Sequence, residues 1–328
     1  MKILVTGAGG YIGTVLVDEL LKRGHQVIAL DRFFFGQTLK ERDNLFIVND
    51  DIRFVEPEIF KGVDSVIDLA ALSNDPAGEL DPVKTWSINY LGRLRVAVLA
   101  KRMGVKRYIL PSSCSVYGFT DEIVNEDSPT NPLTTYAKAN LKAEKDILPM
   151  NDNSFKVTAF RIATVYGYGG TRRMRFDLVI NAFVRDLVTK GKLMLMRDGT
   201  QWRPFVHVKD VARVLADAAT SDSDNLAGQV INLGSDEQNY QIKTLAEKVA
   251  DALGMELNFE WYGSPDKRSY RVSFAKIRKL MGFKPEYDVE DAAEEIAKAI
   301  RSGELDPNDP RWITVAWYKS LIAQGVMV

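Results

Sequence analysis

The sequence holds one cysteine, Cys114, and two histidines, His25 and His207, among 328 residues. A single thiol excludes an intrachain disulfide framework and a cysteine-based structural zinc site. Two histidines argue against a histidine-rich metal centre, so no metal is expected. An excess of charge of one sign is lacking too: 43 Lys and Arg against 44 Asp and Glu leave a formal net charge of −1. Bulk charge therefore favours neither nucleic acid nor an anionic membrane as a partner. No apolar run reaches bilayer length. The opening MKILVTGAGG reads as a strand and a glycine turn rather than a signal peptide. A cytoplasmic protein is the expectation.

What the chain does contain is alternation. KILVTG, QVIALD, LFIVND, VDSVIDLAA, RYILPSSCS, KVTAFRIATVYG and QVINLGS read as strands, separated by helical stretches such as Tyr11 to Lys22. Continuous β-branched strands between helices predict an α/β fold with a doubly wound parallel sheet of Rossmann type. The rhythm loosens after Gly167, where GYGGTRRMR carries the one tight basic cluster, Arg172, Arg173 and Arg175. That cluster reads either as a solvated turn or as an anion site. The expected division is a dinucleotide-binding domain over 1–166 with 204–234, and a smaller C-terminal α/β substrate lobe over 167–203 with 235–328. Such a lobe would sit at the edge of the sheet where doubly wound folds bind ligands.

VTGAGGYIG sets Gly7, Gly10 and Gly13 between the first strand and the first helix. The first glycine permits a tight turn, the second a close backbone approach to a pyrophosphate, and the third close packing of helix on strand. The helix N-terminus offers unpaired N–H groups to the anion. Asp31 ends the second strand at the spacing of an acid that binds a ribose diol. That carboxylate would repel a 2′-phosphate, which favours NAD over NADP, although the neighbouring Arg32 works in the opposite sense.

TGAGGYIG, DLAALS, SSCSVYG and YAKAN follow one another in the order and spacing of the extended short-chain dehydrogenase/reductases. Within them the chain resembles the NAD-dependent epimerase/dehydratase family that acts on nucleotide sugars. QWRPFVHVKDVAR and SPDKRSYRVS look like that family's substrate-lobe motifs, and TRRMRFD resembles a sugar-binding stretch reading SPRMRFD. The resemblance implies that Ser113 hydrogen-bonds the reacting sugar oxygen and that Tyr136 is the base taking the hydroxyl proton. It implies a cofactor site of Gly7, Gly10, Tyr11, Ile12, Gly13, Asp31, Arg32, Asp51, Ile52, Ala70, Ala71 and Leu72, with Tyr136 and position 140. It places Ser73, Ser115, Thr164, Arg175, Asn181, Arg203 and Arg268 on a nucleotide-diphosphate sugar. A homodimer through the helices at Val83–Arg102 and Tyr136–Leu148 is implied on the same ground. Cys114, between two serines, reads as a small buried hydrophobe rather than a nucleophile, and His207 as a structural histidine bonding backbone.

One position departs from the family. Its tyrosine is normally followed four residues later by a lysine, on the same helix face, whose charge favours tyrosinate and whose ammonium holds the nicotinamide ribose. Here that residue is Asn140. Lys138 and Lys142 lie about 200° and 240° round an ideal helix and do not replace it. Three accounts stay open: divergence with weakened chemistry, a substitution that traps a complex, or a silent NAD-binding regulator. On the first two, Asn140→Lys is expected to raise turnover near neutrality. Asp-Glu, which follows the catalytic Ser/Thr in 4,6-dehydratases, is here Cys114-Ser115, which disfavours dehydration. The expected reaction is 4-epimerisation, with a 4-dehydrogenase or ketoreductase as the alternative.

Overall fold

The computed structural model describes residues 1–170, 173–264 and 268–326. Its centre is a seven-stranded parallel sheet in the spatial order Gln229–Leu233, Lys156–Ile162, Arg107–Ser113, Ser65–Asp68, Lys2–Thr6, Gln26–Asp31, Leu45–Asn49. All six neighbouring pairs are parallel, beginning with Lys2 opposite Gln26 and Ile3 opposite Ser65. The first strand shows why its sequence is uninterrupted by polar residues. Ile3 and Val5 enter one apolar cluster and Leu4 the other, so both faces are covered and neither can be polar. Helices Tyr11–Lys22 and Val208–Thr220 pack together on one face. On the opposite face lie Arg93–Arg102 and Thr135–Ile147.

The expected helix Val83–Arg102 is one run, but it changes pitch. Pro82–Trp86 is α-helical, Ser87–Gly92 forms a π turn, and Arg93–Arg102 returns to α. Single π turns of this kind recur at functional sites. The stretch KVTAFRIATVYG is also divided, into Lys156–Ile162 in the main sheet and Thr164–Tyr166 outside it.

Beyond Gly167 the chain builds smaller sheets. Asn239–Gln241, Trp202–His207 and Thr164–Tyr166 form a three-stranded one, and Phe259–Tyr262 pairs with Leu193–Met196. The strand Trp202–His207 straddles the expected domain boundary at residue 204 and pairs with these segments rather than with the main sheet. Among the described residues, no helix is long and apolar enough to cross a membrane.

Candidate active site

The C-terminal ends of the main strands open into a cavity of about 600 Å³. In a parallel sheet the helix N-termini point to this edge as well, so backbone donors and loop side chains converge there. Every site residue named from the sequence lines this cavity except Asn181.

One end of the cavity is made of backbone. Gly7 has φ +65°, and a Cβ there would lie 2.7 Å from the Leu69 carbonyl carbon. At Gly13 a Cβ would come within 2.2 Å of the Gly7 oxygen, so the helix could not seat against the strand. Gly10 is the N-cap of the helix Tyr11–Lys22 and supplies no side-chain cap, which leaves the first N–H groups to whatever occupies the turn. Asp31 accepts from the backbone N–H of Gly9 at 3.0 Å and of Phe33 at 2.6 Å. Burial pushes its carboxyl upward, against those hydrogen bonds. Arg32 is committed to Asp51 at 2.9 Å, where Arg53 also binds at 2.6 Å. Burial would raise the Asp51 carboxyl, but the arginine contacts outweigh it and hold it below the usual value. An open glycine cradle, a diol-binding carboxylate and an engaged Arg32 fit a dinucleotide without a 2′-phosphate. Tyr11 reaches the site through its backbone, since its buried hydroxyl donates to the Gly167 oxygen at 2.5 Å.

The other end carries the acid–base group. Thr134 caps the helix Thr135–Ile147 by accepting from the Ala137 N–H at 3.2 Å, and donates to Asp75 at 2.6 Å. Two turns beyond Tyr136, the Glu144 carboxylate is buried against Arg161 at 2.8 Å and accepts from the Ser112 hydroxyl. This paired internal charge pins the helix to the strand that carries Ser113. Ser113 and Tyr136 are thereby brought to one wall. Burial pushes the Tyr136 phenol above its ordinary value and Asp75 adds to this, while hydrogen bonding from Ser113, the charge of Arg93 and hydrogen bonding from Asn140 pull it down.

Asn140 is 2% exposed and Arg93, which the sequence analysis did not single out, is 1% exposed. The Arg93 guanidinium donates to the Asn140 side-chain oxygen at 2.9 Å, and the Asn140 amide donates to the Tyr136 carbonyl at 3.1 Å. Lys138 is exposed, and Lys142 is spent on Asp146 at 2.7 Å. Cys114 is buried with its thiol directed at the Arg161 carbonyl, 3.2 Å away, and burial pushes that thiol far up. Ser115 Oγ is buried without a hydrogen-bond partner among the described residues.

The remaining wall is built from charged side chains carried by distant segments. Arg268 binds Asp75 at 2.8 Å. Arg175 binds Asp177 at 2.6 Å and donates to the Ser73 hydroxyl at 3.0 Å. Arg203 lies over the Tyr270 ring at 5.4 Å and donates to the Trp202 carbonyl at 2.8 Å. Thr164 lies beside them. Asn181 stands behind this wall, fully buried. It accepts from the Gly167 N–H at 2.9 Å and donates to Tyr11 Oη and to the Arg175 carbonyl. Its amide is consumed in holding Arg175 in place, so the structure corrects its expected contact with ligand to a supporting position. Arg172 lies outside the described residues. His207 caps the helix Val208–Thr220 by accepting from the Lys209 N–H at 3.2 Å, as a structural histidine would. Asp75 and Tyr318 line the cavity without having been foreseen. Only the run SNDP, a capping pattern ahead of a helix, could have marked Asp75.

A model of the NAD dependent epimerase/dehydratase family matches residues 3–234. The chain is 28% identical over 312 residues to a putative UDP-glucose 4-epimerase of Methanocaldococcus jannaschii, covering 92% of this chain and 98% of that one. To UDP-glucuronic acid decarboxylase 1 of Xenopus tropicalis it is 27% identical, over 88% of this chain and 70% of that one. Among solved structures, MoeE5 in complex with UDP-glucuronic acid and NAD superimposes with a TM-score of 0.82 at 27% identity. That match covers 92% of this chain and 100% of the other.

Proposed function

Because this chain belongs to the NAD-dependent epimerase/dehydratase family, we propose that it is a nucleotide-sugar 4-epimerase acting on a UDP-sugar. The observation that carries this reading is the meeting of Ser113, Tyr136 and the glycine turn in one cavity. When bound, NAD supplies the acceptor and donor of hydride. Tyr136 accepts the proton of the sugar 4-hydroxyl as that carbon is oxidised, and returns it after the 4-keto sugar has presented its other face. Ser113 holds the same oxygen through both steps. Ser115, with its unpartnered buried hydroxyl, is placed to bond the sugar. Arg175, Arg203 and Arg268 receive the diphosphate. On this reading residues 1–166 with 204–234 hold the dinucleotide and the remainder the sugar nucleotide. Elimination of water needs an acid and a base next to Ser113, and the buried Cys114 thiol offers neither.

The relatives favour uridine: the putative 4-epimerase is named for UDP-glucose and the decarboxylase for UDP-glucuronic acid. The test is incubation with NAD and UDP-glucose, UDP-galactose or UDP-glucuronic acid. An isomeric sugar without reduced nicotinamide in solution is the expected result. Free NADH would make it a dehydrogenase, and carbon dioxide a decarboxylase. Tight NAD binding with no product would make it a silent regulator. A homodimer through the helices at Val83–Arg102 and Tyr136–Leu148 is part of the proposal. Val83 is 78% exposed and Leu91 54%, an apolar surface suited to such pairing. Light scattering on the eluted protein tests it.

A further inference from the structure

A guanidinium buried to 1% exposure is costly unless its charge is used. Arg93 makes three donor contacts inside the protein. These reach Asn140 Oδ1 at 2.9 Å, the Asp68 carbonyl at 3.0 Å and the Pro111 carbonyl at 2.5 Å. Its Nε lies 3.6 Å from the Asp68 carboxylate, without a hydrogen bond among the described residues. Two of the three acceptors are uncharged main-chain oxygens that a smaller donor would satisfy. The third is the side chain that follows Tyr136 by one helical turn. We propose that Arg93 is a positioning residue for Tyr136, supplying through Asn140 the positive charge that the tyrosine's own helix lacks.

The argument rests on hydrogen-bond chemistry and on the reading of Tyr136 as the proton acceptor. A guanidinium has donors only, so the Asn140 oxygen must face it and the Asn140 amide must face away. One N–H of that amide goes to the Tyr136 carbonyl at 3.1 Å. The second remains for a phenolate or hydroxyl in the cavity that Asn140 lines. A guanidinium behind an amide thus divides between two residues what one ammonium would do alone: Arg93 brings charge, and Asn140 brings the donor.

The surrounding charges are few. Asp75 faces Tyr136 and opposes ionisation, though Arg268 is paired with it at 2.8 Å. Asp68 faces Arg93 and accepts hydrogen bonds from the Thr6 and Tyr108 hydroxyls. Burial raises both the Asp68 carboxyl and the Tyr108 phenol, which limits how far Asp68 neutralises the guanidinium. Arg93 is therefore the cation that favours the Tyr136 phenolate from within the protein. A lysine at 140 would be set against Arg93, like charge against like.

The test follows the ionisation of Tyr136 itself, by phenolate absorbance of the full chain with NAD bound, taking Tyr136→Phe as the blank. No sugar is needed, so the result stands apart from the proposed reaction. If the natural protein turns over no nucleotide sugar, the function falls while this measurement still reads Arg93. Arg93→Met is expected to raise the midpoint by about one unit or more, and to move the pH profile of any turnover equally. Asn140→Lys alone is expected not to lower it. The double variant Arg93→Thr, Asn140→Lys is expected to restore it to within about half a unit. An unchanged midpoint in folded Arg93→Met overturns the proposal, as does a lowered one in Asn140→Lys. If Arg93→Met fails to fold, the double variant decides: a restored midpoint supports the proposal and a raised one overturns it. A natural midpoint above that of free tyrosine, about 10, overturns it as well.

Discussion

The two ends of the cavity are built from different materials. Around Gly7, Gly10 and Gly13 the wall is main chain, held by contacts that any added carbon would break. Around Asp75, Arg175 and Arg268 the wall is side chain, each arginine paired with a carboxylate from another stretch of sequence or from its own loop. A wall of backbone is specified by the fold and tolerates little change. A wall of ion pairs exchanges one ligand for another by changing partners, at modest cost to stability.

The sharpest way to test this contrast is at the junction of the two ends. Tyr136→Phe should lower turnover by about 10²–10⁴-fold, the usual worth of a general base, with NAD binding intact. Since burial raises the phenol, turnover in the natural protein should climb as pH rises towards the alkaline range. A flat profile would place the proton transfer elsewhere. At the backbone end, Gly13→Ala should cost about 1–3 kcal/mol of stability through overpacking, and weaken NAD binding with it. Thermal melts with and without NAD read both, and a variant that kept both values would break the contrast. At the side-chain end, Arg268→Ala should raise KM about tenfold, the worth of one charged hydrogen bond, and leave the melting temperature nearly unchanged. A large loss of stability instead would make that pair part of the scaffold.

The smallest effect lies outside the cavity. His207 is buried and held neutral, its pKa lowered by burial and by Lys209 to about 3. The unfolded chain, with histidine near 6.5, binds the proton more readily. The His207 contribution to stability is therefore present above pH ~6.5 and lost as pH falls towards about 3. His207→Gln should flatten that part of the melting curve against pH.

The same contrast governs what could be read in advance. Strands and glycines are local patterns, and they name the sheet and the cradle because a parallel sheet covered on both faces leaves no room for polar residues. Asp31 was legible for a similar reason, as the last residue of a strand. The ion-pair wall was legible only where a motif matched, and one member was misplaced. Asn181 sits on the helix Val179–Lys190, and nothing in its neighbours says that its side chain turns towards Gly167 and Tyr11. Arg93 escaped notice because its meaning depends on Asn140, 47 residues away. It also changes an expectation. With a guanidinium opposite position 140, Asn140→Lys alone should not speed the reaction, and the missing lysine ceases to be evidence of a silent protein.

The π turn at Ser87–Gly92 has a consequence for how this chain can vary. Such a turn holds one residue more than an α-helical loop. Losing a single residue there would let the helix rewind, rotating everything after it by about 100°. Arg93 would leave the interior, and Val96 and Ala97, which pack in the same cluster as Leu4, would leave with it. Substitutions in this stretch are tolerable in lineages that keep the arrangement, but insertions and deletions are not.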